Sequence, residues 1–344
     1  MRKFLLAAVL LILLTGCGRF PEQGPMGTVQ TATQSVEQDG VLYFLYPSGP
    51  VYAPTGIAGY DLDSGTFSTV PGLPEEDVLG LTFRDGILYY LTATGLYRSG
   101  VNGTQELLAR TDEDGAYQNA WFFSLNGTFV LCRSGTFEED GDIAASSQVL
   151  TFTEADGLEL VRETNSLSLS QGSCVCYWDG WLYYRELQGA DGMETRRMRL
   201  SNGNVETVGG WSSEDMFATP DGLLEGSQWI TCLPDRTLYC QGRGGTFIGC
   251  GGTDLYFMDC KYGTLGEISR VSAGETEVLV QRFEWDMVTD IKAYVAGRYV
   301  LFYSREDLTG TAEPEQTGMV HYLYLLDGTE IRQIESYTQD FLYV

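Results

Sequence analysis

Histidine is almost missing from this chain: 344 residues carry one, His321. That scarcity leaves no second imidazole for a zinc site, and it obliges any histidine-based general base to use this single position. His321 sits in the strand-like run Met319-Val320-His321-Tyr322-Leu323, where a packed strand residue is the plain reading and a catalytic one the rarer. No Gly-x-Ser-x-Gly elbow, phosphate-cradling glycine loop or His-Glu-x-x-His is present. Basic residues are also scarce. Lys and Arg total 21 against 47 Asp and Glu, a net charge of −26. Such a surface repels phosphate backbones and anionic headgroups, so no nucleic-acid partner is expected. The carboxylates serve solubility or attract cationic ligands. Beyond residue 14 no apolar run approaches the ~20 residues that a spanning helix needs, and helical periodicity is hard to find.

The one long apolar run is Phe4 to Leu14, preceded by Arg2 and Lys3 and followed by Leu14-Thr15-Gly16-Cys17. A basic start, a short apolar core and small residues at the end read as an export signal. The ending resembles the lipobox of bacterial lipoproteins, Leu-x-(Gly/Ala)-Cys. That resemblance implies cleavage between Gly16 and Cys17, a diacylglyceryl thioether on Cys17, and a domain held to the membrane outside the cytoplasm. Two acyl chains are roughly what stable anchoring takes. Residues 1–16 are then a signal peptide, 17–34 a lipidated tether, and 35–344 the folded domain. The tether reading rests on Pro21, Pro25, Gly18, Gly24 and Gly27. Losing Arg2 and Lys3 leaves 19 basic against 47 acidic residues, a net −28.

Seven cysteines remain beyond Cys17: Cys132, Cys174, Cys176, Cys232, Cys240, Cys250 and Cys260. An odd number leaves at least one outside any intramolecular disulfide. The last four recur every eight to ten residues, too widely for the close pairs of a zinc site. Mostly buried thiols are expected, with one or two disulfides among those four as the alternative. No metal or cofactor is expected.

Short runs of Tyr, Phe, Val, Leu and Thr alternate with Gly, Asp and Asn turns, a strand pattern throughout. The turns repeat. Asp39-Gly40-Val41-Leu42-Tyr43-Phe44 is echoed at Asp85-Gly86-Ile87-Leu88-Tyr89-Tyr90 and at Asp179-Gly180-Trp181-Leu182-Tyr183-Tyr184. Weaker copies begin at Asn126, Asp235 and Ala296, and a second hairpin follows most of them. Two hairpins per unit make a four-stranded antiparallel blade, and the spacing suits a propeller. The fold expected is all-β: a single β-propeller of six blades beginning near residues 28, 78, 119, 172, 214 and 286. Seven blades are the alternative, the extra one hidden between Phe217 and Cys260. The run Tyr337 to Val344 has no blade of its own and is free to close the ring.

The stretch Asp85 to Leu108, with its Gly-x-Leu-Tyr-Tyr strand, Leu-Tyr-Arg strand and Asn-Gly-Thr turn, resembles a blade of the Tyr-Trp-Thr-Asp propellers of low-density-lipoprotein-receptor type. It resembles more closely the bacterial propeller domains related to them, found in lipoproteins of anaerobic Firmicutes. The motif itself departs, with Tyr89-Tyr90-Leu91-Thr92 in its place.

Candidate ligand contacts are the aromatics around one turn, Trp178, Trp181, Tyr183 and Tyr184, which suit stacking on a sugar or peptide; packing between blades is the competing reading. The function expected is a non-catalytic binding module at the cell envelope, with a protein, peptide or glycan partner. A glycan-acting propeller enzyme with paired carboxylates and a structural part of an envelope assembly are the alternatives.

Overall fold

The structure, a computed structural model, describes residues 34–47, 55–100, 103–111, 117–125, 128–139, 142–164, 175–187, 193–209, 216–219, 222–226, 228–233, 237–242, 245–261, 265–283, 293–307 and 318–340. Every described strand belongs to one of seven four-stranded antiparallel sheets, each built from consecutive strands. The count is seven blades. Blade 1 is β1 (Ser35–Gln38), β2 (Val41–Pro47), β3 (Thr55–Asp61) and β4 (Phe67–Thr69). Blade 2 is β5 (Val78–Arg84), β6 (Ile87–Thr92), β7 (Gly95–Ser99) and β8 (Gln105–Arg110). Blade 3 has longer strands: β9 (Tyr117–Leu125), β10 (Thr128–Glu139), β11 (Asp142–Thr153) and β12 (Gly157–Thr164). Blade 4 is β13 (Val175–Trp178), β14 (Trp181–Leu187), β15 (Met193–Met198) and β16 (Val205–Gly209). Blade 5 is the smallest, with β17 (Met216–Thr219), β18 (Gly222–Glu225), β19 (Trp229–Cys232) and β20 (Leu238–Gln241). Blade 6 is β21 (Thr246–Gly251), β22 (Asp254–Lys261), β23 (Leu265–Ser272) and β24 (Glu275–Phe283). Blade 7 is β25 (Ala293–Ala296), β26 (Tyr299–Asp307), β27 (Gly318–Asp327) and β28 (Glu330–Asp340).

The extra blade lies where the repeat is weakest. Blade 6 turns between Gly251 and Asp254 without an Asp-Gly pair at the corner, and the second strand of blade 5 is only four residues long. The copy read at Asp235 belongs instead to the outer strand β20, because Leu-Tyr after a polar turn fits an outer hairpin equally well. At the strong copies the expected corner forms. Asp39-Gly40, Asp85-Gly86 and Asp179-Gly180 all have positive φ at both positions, as a type I′ hairpin requires.

Alternation along the second strands builds the core. In β14, Leu182 and Tyr184 point to blade 3 and meet Val130, Cys132 and Val149. Trp181 and Tyr183 point the other way and meet Met216 and Leu223 of blade 5. Period-2 alternation on a sheet buried on both faces requires this division. The described residues give one such cluster for each of the seven interfaces. Burying each large apolar side chain contributes roughly 1.5–3 kcal/mol.

Ring closure uses the same packing. Leu42, Phe44 and Tyr46 of blade 1 pack on Tyr294, Ala296, Leu301 and Leu323 of blade 7, and Ser35 Oγ donates to the Val295 carbonyl at 3.2 Å. Among the described residues Tyr337–Asp340 completes β28, paired with β27 inside blade 7, the last blade. Near the axis blades 6 and 7 approach so closely that a Cβ on Gly251 would collide with the Gly297 carbonyl.

A second repeat runs across three of the sheets. Tyr89, Arg98 and Glu106 are successive cross-strand neighbours in blade 2, as are Tyr183, Arg197 and Glu206 in blade 4 and Tyr256, Arg270 and Glu277 in blade 6. Arg98 and Arg197 each reach their glutamate at 2.6 Å, and Arg270 pairs with Glu277. Solvent-exposed pairs of this kind contribute about 0–1 kcal/mol each. Of the cysteines, Cys132, Cys176, Cys240 and Cys250 are buried and Cys232 is half-buried, none of these five in a disulfide; the Cys174 residue and the Cys260 side chain lie outside what is described.

Candidate functional site

Because neighbouring strands run antiparallel, the tight turns after every first and third strand share one face of the ring. The connections after every second strand, and the links between blades, share the other. The charged interior lies toward this second face. In six blades the fourth residue of the second strand is apolar or aromatic: Phe44, Tyr90, Leu131, Tyr184, Phe257 and Phe302, all buried and turned to the preceding blade. In blade 5 that residue is Glu225. Alternation turns the fifth residue to the following blade, and in blade 4 this is Arg185. The two offsets bring them face to face, with Arg185 Nη2 3.2 Å from Glu225 Oε2.

Arg185 is 0% exposed and Glu225 4%. A charge so placed survives only with a partner, since desolvating either ion alone costs several kcal/mol. Arg133, the sixth residue of β10, is also buried. Its Nε and Nη2 donate to Gln148 Oε1 at 2.9 and 2.6 Å, and its Nη1 donates to the Thr111 carbonyl. Glu186, the sixth residue of β14, takes Arg196 Nη1 at 2.6 Å, and Arg196 also reaches Glu194 at 2.9 Å. The four buried charged residues among those described, Arg133, Arg185, Glu186 and Glu225, therefore stand at one end of blades 3 to 5. None was singled out from the sequence. The available signal was a charge interrupting the apolar strand at a fixed offset, as in Leu223-Leu224-Glu225 and Tyr183-Tyr184-Arg185.

The aromatics read as ligand contacts lie elsewhere. Trp181, Tyr183 and Tyr184 are buried, at 7%, 3% and 0% exposure, and Trp178 is half-buried against the cluster that holds Trp181 and Tyr183. Trp181 is covered by the guanidinium groups of Arg197 and Arg199, 4.2 and 4.4 Å from its ring. Burial pushes the hydroxyls of Tyr183 and Tyr184 above the ordinary tyrosine value. These rings join blades, and a stacking ligand has no access to the three buried ones. Cys17 lies outside the described residues. The backbone of His321 falls in β27, in register with Arg305 and Tyr337. The described residues hold no group of three or more His, Cys, Asp and Glu placed to bind a metal. Asp61, at the turn between β3 and β4, accepts from the amides of Ser64 and Asp63 at 2.7 and 3.0 Å. Those bonds hold its pKa below the ordinary carboxylate value and make it a turn-former.

No protein-family model matches the sequence, and neither does any curated protein. Solved structures do match in shape. Puromycin hydrolase aligns with a TM-score of 0.60 at 11% identity, over 91% of this chain and 54% of its own. The acylaminoacyl peptidase of Pyrococcus horikoshii aligns with a TM-score of 0.58 at 9% identity, over 90% and 53%. The β-propeller domain of the Trilobed protease from Pyrococcus furiosus, described as having an open velcro topology, aligns with a TM-score of 0.54 at 11% identity, over 90% and 98%. The likeness is one of fold. The chain spans just over half the length of the first two enzymes.

These structures overturn the expectation of a non-catalytic binding module, since the rings similar in shape to this one come from a hydrolase, a peptidase and a protease. The glycan-acting and envelope-assembly alternatives have no counterpart among the three. No helix among the described residues is long and apolar enough to cross a membrane.

Proposed function

We propose that this ring is the propeller component of a peptide-hydrolysing enzyme whose catalytic groups lie outside residues 35–340, on further chain or on a second subunit. The observation that carries this reading is the pattern of coverage. Nearly the whole chain aligns with about half of two hydrolytic enzymes and with nearly all of an isolated protease propeller. The ring's own chemistry is compatible: the buried Arg185 and Glu225 are paired with each other, and His321 sits within a sheet ladder. In this reading the ring limits what reaches the catalytic groups, because a closed circle of seven packed interfaces admits substrate only along its axis or at its rim.

The test is to purify the full-length protein from its own cells and assay the fractions with aminoacyl- and peptidyl-naphthylamides. Hydrolysis that co-elutes with the chain is expected; its absence from every fraction containing the chain would contradict the proposal.

The lipobox-like ending at Cys17 supports a second element, attachment of this enzyme to the membrane by lipid on that residue. Labelled fatty acid incorporated by the wild type and not by Cys17→Ala is the expected result. Equal labelling of both would sink it.

A further inference from the structure

Six outer strands share an irregularity that the seventh lacks. In each of blades 2 to 7 the pairing of third and fourth strands slips by one residue, leaving an extra residue on the outermost strand. These residues are Leu108, Val161, Val208, Tyr239, Leu279 and Ile334. All are apolar or aromatic, and each packs on the cluster shared with the following blade. Such a bulge twists a sheet edge and breaks its row of backbone groups, one way of keeping the edge from pairing with another chain. Charged side chains are another. Glu106, Glu159, Glu206, Glu277 and Glu335 stand on five of these six outer strands, and β20 carries the bulge without a charge.

The outer strand of blade 1 has neither device. Strand β4 pairs with β3 without a slip, through Ala58↔Thr69, Gly59↔Ser68 and Tyr60↔Phe67. The same register continues at both ends, where the Val70 amide donates to the Ile57 carbonyl at 2.8 Å and the Asp61 amide to the Thr66 carbonyl at 3.0 Å. Residues 64–74 contain no Asp, Glu, Lys or Arg. Ser68 and Thr69 are exposed. Because Thr66 and Val70 bond inward, alternation turns the amide and carbonyl of Ser68 inward as well, and those of Phe67 and Thr69 outward. Pro71 ends the edge, its carbonyl taken by Gln105 Nε2 at 3.0 Å.

We infer that β4 is the contact strand for a second copy of this chain, paired antiparallel about a two-fold axis beside Ser68. In that register Phe67 of one copy stands opposite the partner's Thr69, and the outward amides and carbonyls of both copies satisfy one another. A two-fold contact sets each patch against its own counterpart. On the charged outer strands this would bring together glutamates of a chain whose net charge is −26; on β4 it brings together no charge at all. That difference selects a like partner, and it selects this blade. The outer strands lie on a convex rim, so pairing at one blade lets the neighbouring blades diverge.

Sedimentation equilibrium of the full-length protein is expected to show a reversible monomer–dimer equilibrium. Ser68 faces its counterpart across the axis with about 4.5 Å between Cα atoms. Ser68→Lys therefore sets like charges against each other and should weaken the dimer about tenfold or more. Its thermal midpoint should stay within about 2 °C of the wild type, since the side chain is exposed. Thr69→Pro removes an outward amide that the blade does not use, and should weaken the dimer to a similar extent. An equimolar mixture of the Ser68→Lys and Ser68→Glu proteins should dimerise again, because opposite charges then meet. A wild type that stays monomeric throughout, or a Ser68→Lys variant that dimerises as well as the wild type, would overturn the inference. So would a mixture that stays monomeric where the wild type dimerises, because the register beside Ser68 would then be wrong.

Discussion

Replacing Glu225 by Leu should be among the most damaging single changes in the ring, although leucine is the residue type found at this strand position in blade 3. The substitution leaves the Arg185 guanidinium, 0% exposed, without the carboxylate 3.2 Å away. Breaking a buried pair by removing one member costs about 3–5 kcal/mol, against a total stability of roughly 5–15 kcal/mol for a folded protein. At about 2 °C per kcal/mol for a chain of this size, the thermal midpoint should fall by roughly 6–10 °C. The partner experiment separates charge from shape. Arg185→Met with Glu225→Leu removes both ions, and an apolar replacement of a buried pair is often neutral or stabilising by about 1–4 kcal/mol. The double variant should therefore recover most of the loss. Urea unfolding of the four members of the cycle, followed by tryptophan fluorescence with the slope held common, measures this coupling. A single-variant cost below about 1 kcal/mol, or a double variant no better than Glu225→Leu, would refute the view that Arg185 depends on this partner.

Three further outcomes follow from the same structure. Phe44→Ala empties a fully buried site between blades 1 and 7 and should cost about 3–5 kcal/mol in urea titration; a cost under about 1 kcal/mol would mean that packing does not close the ring. Gly86→Ala, at φ 73° with open space around its Cβ, should cost only the left-handed backbone penalty of about 1–2 kcal/mol, whereas Gly251→Ala should cost more because it forces two backbones apart. Burial pushes the thiols of Cys132 and Cys240 up to about 12 and about 11, and the hydroxyls of Tyr46, Tyr177 and Tyr294 up to about 12. The unfolded chain ionises these groups near their ordinary values of 9.0 and 10.0 while the native state keeps its protons. Their contribution is therefore full below pH 9 and is lost as pH rises past those values, so the midpoint should fall steadily from pH 9 to 11; a flat profile would contradict it.

Much of the ring was legible because its repeat carries backbone chemistry. Asp-Gly at a corner demands positive φ, and Leu-Tyr-Tyr after it demands burial on both faces, so blades 1, 2 and 4 stood out in the sequence. Blade 5 did not, since each of its strands is only four residues long. Blade 6 was obscured by Gly252-Thr253 at its first corner. The aromatics near Trp181 drew a ligand reading because exposure is not encoded in residue type; only the alternation of β14 between two neighbouring blades decides it. The Arg185–Glu225 pair is a tertiary fact of the same kind. Its members are 40 positions apart, and they meet because one is the fifth and the other the fourth residue of adjacent second strands.

The most direct test of the enzyme reading is peptide hydrolysis in cells with and without this gene. Envelope fractions from the two strains are assayed on short chromogenic peptides, and the deletion strain is complemented with the wild type and with the Glu225→Leu variant. If the ring serves a peptide hydrolase, activity should disappear on deletion, return with the wild type, and fall with the variant in proportion to its lost folded protein. Activity that is the same in both strains would contradict that role.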